Sequence, residues 1–223
     1  MKKQAIFLLF LAAIGFTACQ SESAPTVKAT TPEPITTTDT TTAGLFPIST
    51  ENSVIEWVGS KASGSQHNGT IKLQSGELNL FKGNITGGNL VLDMNSIAVS
   101  DLEGSDKTDL EGHLKDGDFF ETNKFPTGDI AFGSTMPLEN DPSGAKQVVA
   151  GSLTLKGIAK PIRIPFNMRI EAGKVMVEAP EFSINRLEWD IKYKSGFIGT
   201  AKEKMIDDFI KLKIKLVAEL PVQ

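Results

Sequence analysis

One stretch of the sequence decides the fold class: residues 162–170 read IRIPFNMRI. Large apolar side chains occupy every second position, and polar residues or proline stand between them. Successive side chains of a β-strand point to opposite faces, so this period of two predicts a strand with one buried and one solvated face. The same period can be followed through most of the chain.

Seven more segments between residues 45 and 220 alternate in the same way. They are centred on Ile55 and Trp57, Ile71 and Leu73, Leu90 and Leu92, Ile130 and Phe132, Leu153 and Leu155, Val175 to Ile184, and Ile210 to Leu216. Eight antiparallel strands either pack as two sheets or close into a barrel, and periodicity does not choose between these all-β folds. A short helix is expected between the third and fourth strands, capped by Ser105 or Asp106 and ended by Asp116-Gly117, and a second from about residue 200 to 206.

The amino-acid composition argues against several classes of function. The chain has 223 residues, of which 40% are hydrophobic and 22% charged, as is typical of a globular protein. Lys and Arg number 23 against 27 Asp and Glu, which argues against a nucleic-acid partner. The single Cys rules out a disulfide within the chain, and two His residues leave little material for a metal site. We therefore expect no metal and no cofactor.

The N-terminus has the pattern of a targeting segment. Lys2 and Lys3 precede an apolar run from Ala5 to Ile14, and Cys19 follows small residues, which resembles a bacterial lipoprotein signal. We predict a signal peptide over residues 1–18, a lipid anchor on Cys19 and a Thr/Pro-rich disordered tether over residues 19–44. A plain secretory signal is the alternative. The anchored chain would lie in the cell envelope, as an outer-membrane lipoprotein facing the periplasm or the cell surface.

Four motifs follow one another in the remaining domain, residues 45–220. They are SVIEW at 53–57, DLEGHL at 109–114 with DFF at 118–120 and FP at 125–126, GSLTLKGIAKPI at 151–162, and INR at 184–186. In this order they resemble the YceI-like family of polyisoprenoid-binding lipoproteins and periplasmic proteins. Residues 187–190, LEWD, replace the family's aspartate, aromatic residue and glycine, which predicts a reshaped barrel mouth.

The resemblance implies a lipocalin-like barrel of eight antiparallel strands around an apolar tunnel. Its ligand would be a long-chain isoprenoid or fatty-acyl lipid, bound without catalysis. Arg186 would hold a charged lipid headgroup; the alternative is that Arg186 pairs with Glu188 or Asp190 and closes the barrel end. The candidate ligand-binding residues are Ile55, Trp57, Ile71, Leu73, Leu90, Leu92, Phe132, Leu153, Leu155, Ile164, Phe166, Arg186, Leu212 and Ile214.

Other interpretations of the same residues stay open. An enzyme acting on a lipid or small substrate is one, although Ser65 and His67 lack the G-x-S-x-G context of a hydrolase. His67 and His113 could join Asp101, Glu103 or Asp109 in a metal site or an acid–base pair, or lie in a surface turn and a helix cap. The lysines at 211, 213 and 215 form either a solvated face or a surface for anionic lipid headgroups. A ligand-free scaffold or stress-related surface protein and a homodimer are further options.

Overall fold

The computed structural model describes residues 43–219, which contain nine strands and one α-helix. The predicted signal peptide and nearly all of the predicted tether lie outside these residues. The elements are β1 (Gly44–Pro47), β2 (Val54–Ser60), β3 (Gln66–Phe81), β4 (Asn84–Val99), α1 (Gly104–Lys115), β5 (Thr127–Pro137), β6 (Gln147–Leu155), β7 (Ile158–Glu171), β8 (Lys174–Asn185) and β9 (Phe209–Glu219).

Eight of the strands form a closed antiparallel barrel. Each strand from β2 to β9 pairs with the next along the chain, and β9 returns to pair with β2, where Trp57 lies opposite Leu212. The ring is closed, although β7 pairs with β8 only over Asn167–Glu171. The predicted all-β, eight-stranded barrel is therefore confirmed, and the two-sheet alternative is wrong.

The short strand β1 is an addition that the sequence did not predict. It pairs with the part of β3 that extends beyond β2, with Gly44 opposite Leu80, and the next residues reach β9 through a bridge from Ile48 to Ala218. β1 therefore lies between β3 and β9, as β2 does, but further along the barrel.

The period of two places one face of each strand inside the barrel. In β7, Ile164 and Phe166 are buried, whereas Arg163 and Asn167 are exposed. The inward side chains of the strands form one continuous hydrophobic core, to which Leu114 of α1 also belongs. The interior of the barrel is thus the main apolar space of this domain.

The helix begins earlier than predicted. The Glu103 carbonyl accepts a hydrogen bond from the Lys107 amide (3.4 Å), and Glu103 is the N-cap, although its side chain makes no capping hydrogen bond. Ser105 and Asp106 lie inside the first turn of the helix, so the prediction that one of them is the N-cap is wrong. The second predicted helix is a 3₁₀ turn of three residues, Lys202–Lys204.

Arg186, directly after β8, closes one end of the barrel. Its Nε donates to the Asp207 carbonyl (3.0 Å), and one terminal nitrogen donates to the Ile191 carbonyl (2.7 Å). The other donates to the Ile206 carbonyl (3.2 Å) and the Asp208 carboxylate (3.0 Å). The predicted partners of Arg186, Glu188 or Asp190, are wrong. The carboxylate that pairs with Arg186 belongs to Asp208, and Asp190 pairs with Lys192.

The turn between β6 and β7 gives a first prediction, since Lys156 (φ 50°) and Gly157 (φ 71°) both have a left-handed backbone. A β-branched residue is strained in this conformation, and a Cβ at Gly157 would lie 3.2 Å from Cε1 of Phe125. We expect Gly157→Val to lower the free energy of unfolding by about 2 kcal/mol. Urea denaturation measures the change.

The matched control is Gly133→Val in β5, where a Cβ would meet nothing within 4 Å. This control is expected to leave stability within about 0.5 kcal/mol of the wild type. Equal stability of the two variants would contradict the assigned role of the turn.

Arg186 gives a second prediction. Arg186→Gln removes a fully buried charge and leaves carbonyl groups at the barrel end without donors. We expect the free energy of unfolding to fall by about 3–5 kcal/mol, as for other broken buried pairs.

Arg169→Gln is the control, because the Arg169–Glu171 pair spans 3.9 Å with both side chains more than half exposed. Its cost should stay below about 1 kcal/mol. A wild-type melting curve for Arg186→Gln would refute the structural role.

Candidate functional site

The barrel interior contains two cavities, one after the other along the barrel. The first, which we call the helix-end cavity, has a volume of about 80 Å³ and is lined by side chains of β2, β9 and most strands between them, by Leu114 of α1, and by Phe119 and Phe120. The second, the far cavity, has a volume of about 30 Å³ and lies toward the turn between β3 and β4, where Leu78 and Ile85 contribute to it. Ile214 lines both cavities.

Most of the predicted binding residues surround these two cavities. Those at the helix-end cavity are Ile55, Trp57, Ile71, Leu92, Leu153, Leu155, Arg186, Leu212 and Ile214. Those at the far cavity are Leu90, Phe132, Ile164, Phe166 and again Ile214. Leu73 is buried but lines neither cavity.

Sequence reasoning missed the lining that comes from outside the regular alternation. Phe119 and Phe120 follow α1, and Ile206 and Asp207 precede β9. The DFF motif at 118–120 was a signal for the two phenylalanines, since aromatic side chains bury a large apolar area in protein cores. Nothing in the sequence marked Ile206 or Asp207, because they reach the cavity only when the barrel end is assembled.

The helix is held against the barrel mouth by specific contacts. The amide of Val99 in β4 donates to the carboxylate of Glu111 in α1 (2.9 Å). The His113 ring packs against Tyr193 (centroids 4.4 Å apart) and against Phe119 (5.7 Å). These contacts fix one side of the helix-end cavity.

Trp57 is the only aromatic residue of β2 and faces into the barrel with 8% exposure. Its indole lies over Gly69 of β3: a Cβ at Gly69 would be 2.7 Å from Cζ2 and 2.8 Å from Cε2 of the ring. The close approach requires glycine at this position. The indole Nε1 is buried and has no hydrogen-bond partner among the described residues.

The charged groups of the cavity lie at its helix end. Burial lowers the pKa of Arg186, and the nearby carboxylates of Asp208 and Asp207 oppose this shift. The guanidinium remains protonated, as arginine does in proteins. Because Arg186 is bound to Asp208 and to three carbonyls, its contacts support the alternative in which it closes the barrel end.

The two histidines each face an aspartate. His67 Nδ1 lies 2.9 Å from Asp101, and His113 Nδ1 lies 3.4 Å from Asp118. Burial alone would raise the pKa of Asp101, but hydrogen bonds from the Asn68 amide and the His67 ring outweigh it and hold the pKa below its ordinary value. Within residues 43–219, no three His, Cys, Asp or Glu residues come together as a metal site would need.

The lysine row of β9 lies on the outer face of the barrel. Lys211 pairs with Glu181 (2.9 Å), and Lys215 pairs with Glu56 (2.7 Å). The hydrogen bond and the charge of Glu56 raise the pKa of Lys215. These exposed pairs fit the solvated-face interpretation. In the part of the chain that the structure describes, no helix is long and apolar enough to cross a bilayer.

Comparison with known sequences agrees with the fold. The YceI-like domain matches residues 46–218. A UPF0312 protein of Shewanella sp. strain MR-4 is 27% identical over 140 residues, which are 63% of this chain and 62% of that protein. A UPF0312 protein of Vibrio vulnificus strain YJ016 is 30% identical over 141 residues, which are 59% of this chain and 62% of that protein. The matched segment thus spans less than two thirds of either relative.

Solved structures share the architecture. Burkholderia cenocepacia BcnA superimposes with a TM-score of 0.60 at 18% identity and covers 77% of this chain and 99% of its own. A polyisoprenoid binding domain from Saccharophagus degradans, implicated in plant cell wall breakdown, has a TM-score of 0.56 at 16% identity, covering 81% of this chain and 100% of its own. At these identities the likeness shows the fold.

Because the domain match covers residues 46–218, which include the whole barrel, the chain belongs to the YceI-like domain family.

Proposed function

We propose that this protein binds one long-chain lipid, an isoprenoid or a fatty-acyl chain, inside its barrel and does not transform it. The observation that carries the proposal is the helix-end cavity, a space of about 80 Å³ whose lining is apolar except for Arg186 and Asp207. Ligand sites in barrels are typically apolar spaces with few polar groups. The solved polyisoprenoid binding domain with the same fold supports this choice of ligand.

The dimensions of the cavities indicate how a long chain would be accommodated. A dry cavity of about 150 Å³ lined by Leu, Ile and Phe binds benzene. The two cavities, of about 80 and 30 Å³, are smaller even together, and Ile214 lines both of them. A long chain would therefore displace inward side chains, Ile214 among them, and each buried methylene group would contribute about 0.8 kcal/mol.

Ile214 gives the prediction for this function. Ile214→Phe enlarges the side chain that lines both cavities, so we expect the protein to lose long-chain lipid while keeping a folded barrel. Overpacking should lower the free energy of unfolding by about 1–3 kcal/mol. Mass spectrometry of organic extracts from the purified protein, with displacement of a fluorescent hydrocarbon probe, measures lipid content and uptake.

Leu73→Phe is the matched control, because Leu73 is equally buried but lines neither cavity. We expect this control to show the same loss of stability and normal lipid uptake. Wild-type protein that carries no lipid and takes up no probe would contradict the proposed function. Loss of uptake in both variants would show that the cavities are not the site.

We further propose that a lipid on Cys19 anchors the protein in the cell envelope, with residues 1–18 as signal peptide and residues 19–44 as tether. The order of charged, apolar and small residues before the single Cys supports this proposal. Two acyl chains hold a protein firmly on a membrane, whereas one does not.

The anchor is tested by Cys19→Ala in the full chain expressed in a bacterium. We expect the variant to move from the membrane fraction to the soluble fraction, as measured by fractionation and immunoblotting. Ser23→Ala, in the predicted tether, is the control and should stay with the membrane. Membrane association of both variants would refute the anchor.

A further inference from the structure

We propose that the hydrocarbon chain of the ligand enters and leaves the barrel from the side, between β7 and β8, rather than through either end. The inference rests on the proposed function, since it names the route by which a lipid reaches the helix-end cavity. It follows from a place where two neighbouring strands of the ring are not hydrogen-bonded to each other.

The ladder between β7 and β8 is short. It covers only Asn167–Glu171 of β7, next to the turn that joins the two strands. Beyond it, residues 158–166 of β7 pair with β6 alone, and residues 182–185 of β8 pair with β9 alone. A groove of about 230 Å³, which we call the lateral groove, lies between these segments and is lined by residues 161–163 and 182–185.

Two prolines explain why the ladder ends. Residues 172 and 173, both with positive φ, form a two-residue turn, so the strands exchange backbone hydrogen bonds at every second pair, counted from the pair that flanks the turn. In this register the last such pair is Asn167 with Glu178, and the next would be Pro165 with Pro180. Proline has no N–H, so neither bond of that pair can form. The sequence itself therefore keeps the two strands apart here.

The lateral groove comes close to the helix-end cavity. Ile184 lines both spaces, so at this point they are one residue apart. Trp189 also lines the groove; it is buried, and its indole N–H donates to the carbonyl of Leu153 (3.0 Å), a residue of the cavity lining. Phe182 is partly buried against the core, and Phe209, which lines the same groove, is 54% exposed. Apolar side chains thus lead from the surface toward the cavity.

Other routes into the interior meet greater obstacles. At the helix end, Arg186 binds three carbonyls and a carboxylate, and a chain that passed it would break these hydrogen bonds. At the opposite end, the side chains of Leu78 and Val175 are fully buried. Residues 94–99 of β4 also lie beyond the pairing with β5, but α1 packs against them. In the lateral groove the two strands share no ladder hydrogen bond, so opening the wall there breaks no bond between strands.

The test restores the missing hydrogen bonds. Pro165→Val combined with Pro180→Val, in the full-length protein, supplies both N–H groups at the next position of the ladder, and neither residue lines a cavity. Amide hydrogen exchange at positions 165 and 180 measures whether the bonds form. Stopped-flow fluorescence of diphenylhexatriene, a neutral hydrocarbon probe, measures uptake and release. We expect both rate constants to fall about tenfold, as two added backbone hydrogen bonds support, with an unchanged dissociation constant.

Phe182→Ala should act in the opposite direction. Phe182 lines the lateral groove but neither cavity, so its truncation should speed uptake and release severalfold and leave the dissociation constant unchanged. Phe81→Ala is the matched control, because Phe81 is exposed and lines neither the groove nor a cavity. Pro142→Val, in the loop between β5 and β6, is the control for the replacement of proline. Both controls should keep the wild-type rates.

Three results would overturn the inference while leaving lipid binding intact. They are wild-type rates in Phe182→Ala, wild-type rates in the double proline variant when positions 165 and 180 are protected from exchange, and controls whose rates change as much as those of the variants. If the double variant does not fold or does not form the bonds, Phe182→Ala decides alone. Failure of the wild type to take up the probe would instead refute the proposed function, and the inference with it.

Discussion

The pairing of β9 with β2 is the constraint on which the rest of the structure depends. It joins the last strand to the first strand of the ring, so that every strand between them has two neighbours, although β7 pairs with β8 only over Asn167–Glu171. All inward side chains then share one interior. In a ring of eight strands this interior is just wide enough for side chains or one slender ligand, so the choice of each inward residue decides whether space remains.

The two charged residues of the cavity lining lie where the regular hydrogen bonding stops. Beyond β8 and before β9 the chain leaves the ladder, and its carbonyls need other donors. Arg186 supplies them for Ile191, Ile206 and Asp207, while Asp208 balances its charge. A buried guanidinium is costly to desolvate, yet here it satisfies backbone groups of two segments at once. The barrel end is therefore polar for a structural reason, within an otherwise apolar interior.

In the proposed function, this arrangement would divide the recognition of a lipid into two parts. The apolar interior can bind any chain that fits its width, since burial of hydrocarbon is not directional. In the proposed function, selectivity between lipid classes would have to come from the charged residues of the lining at one end, Arg186 and Asp207. Ile214 lines both cavities, so in the proposed function a chain that occupies both cavities would contact it.

The sequence by itself determined the features that depend on neighbouring residues. The period of two identified the strands and nearly all of the inward residues, and Gly157 marked a turn that needs positive φ. Only the tertiary structure decided that Leu73 faces neither cavity, because strand register and the position of a residue along the barrel are not local properties. It likewise decided that Arg186 pairs with Asp208, on a segment that reaches it only when β9 closes the ring.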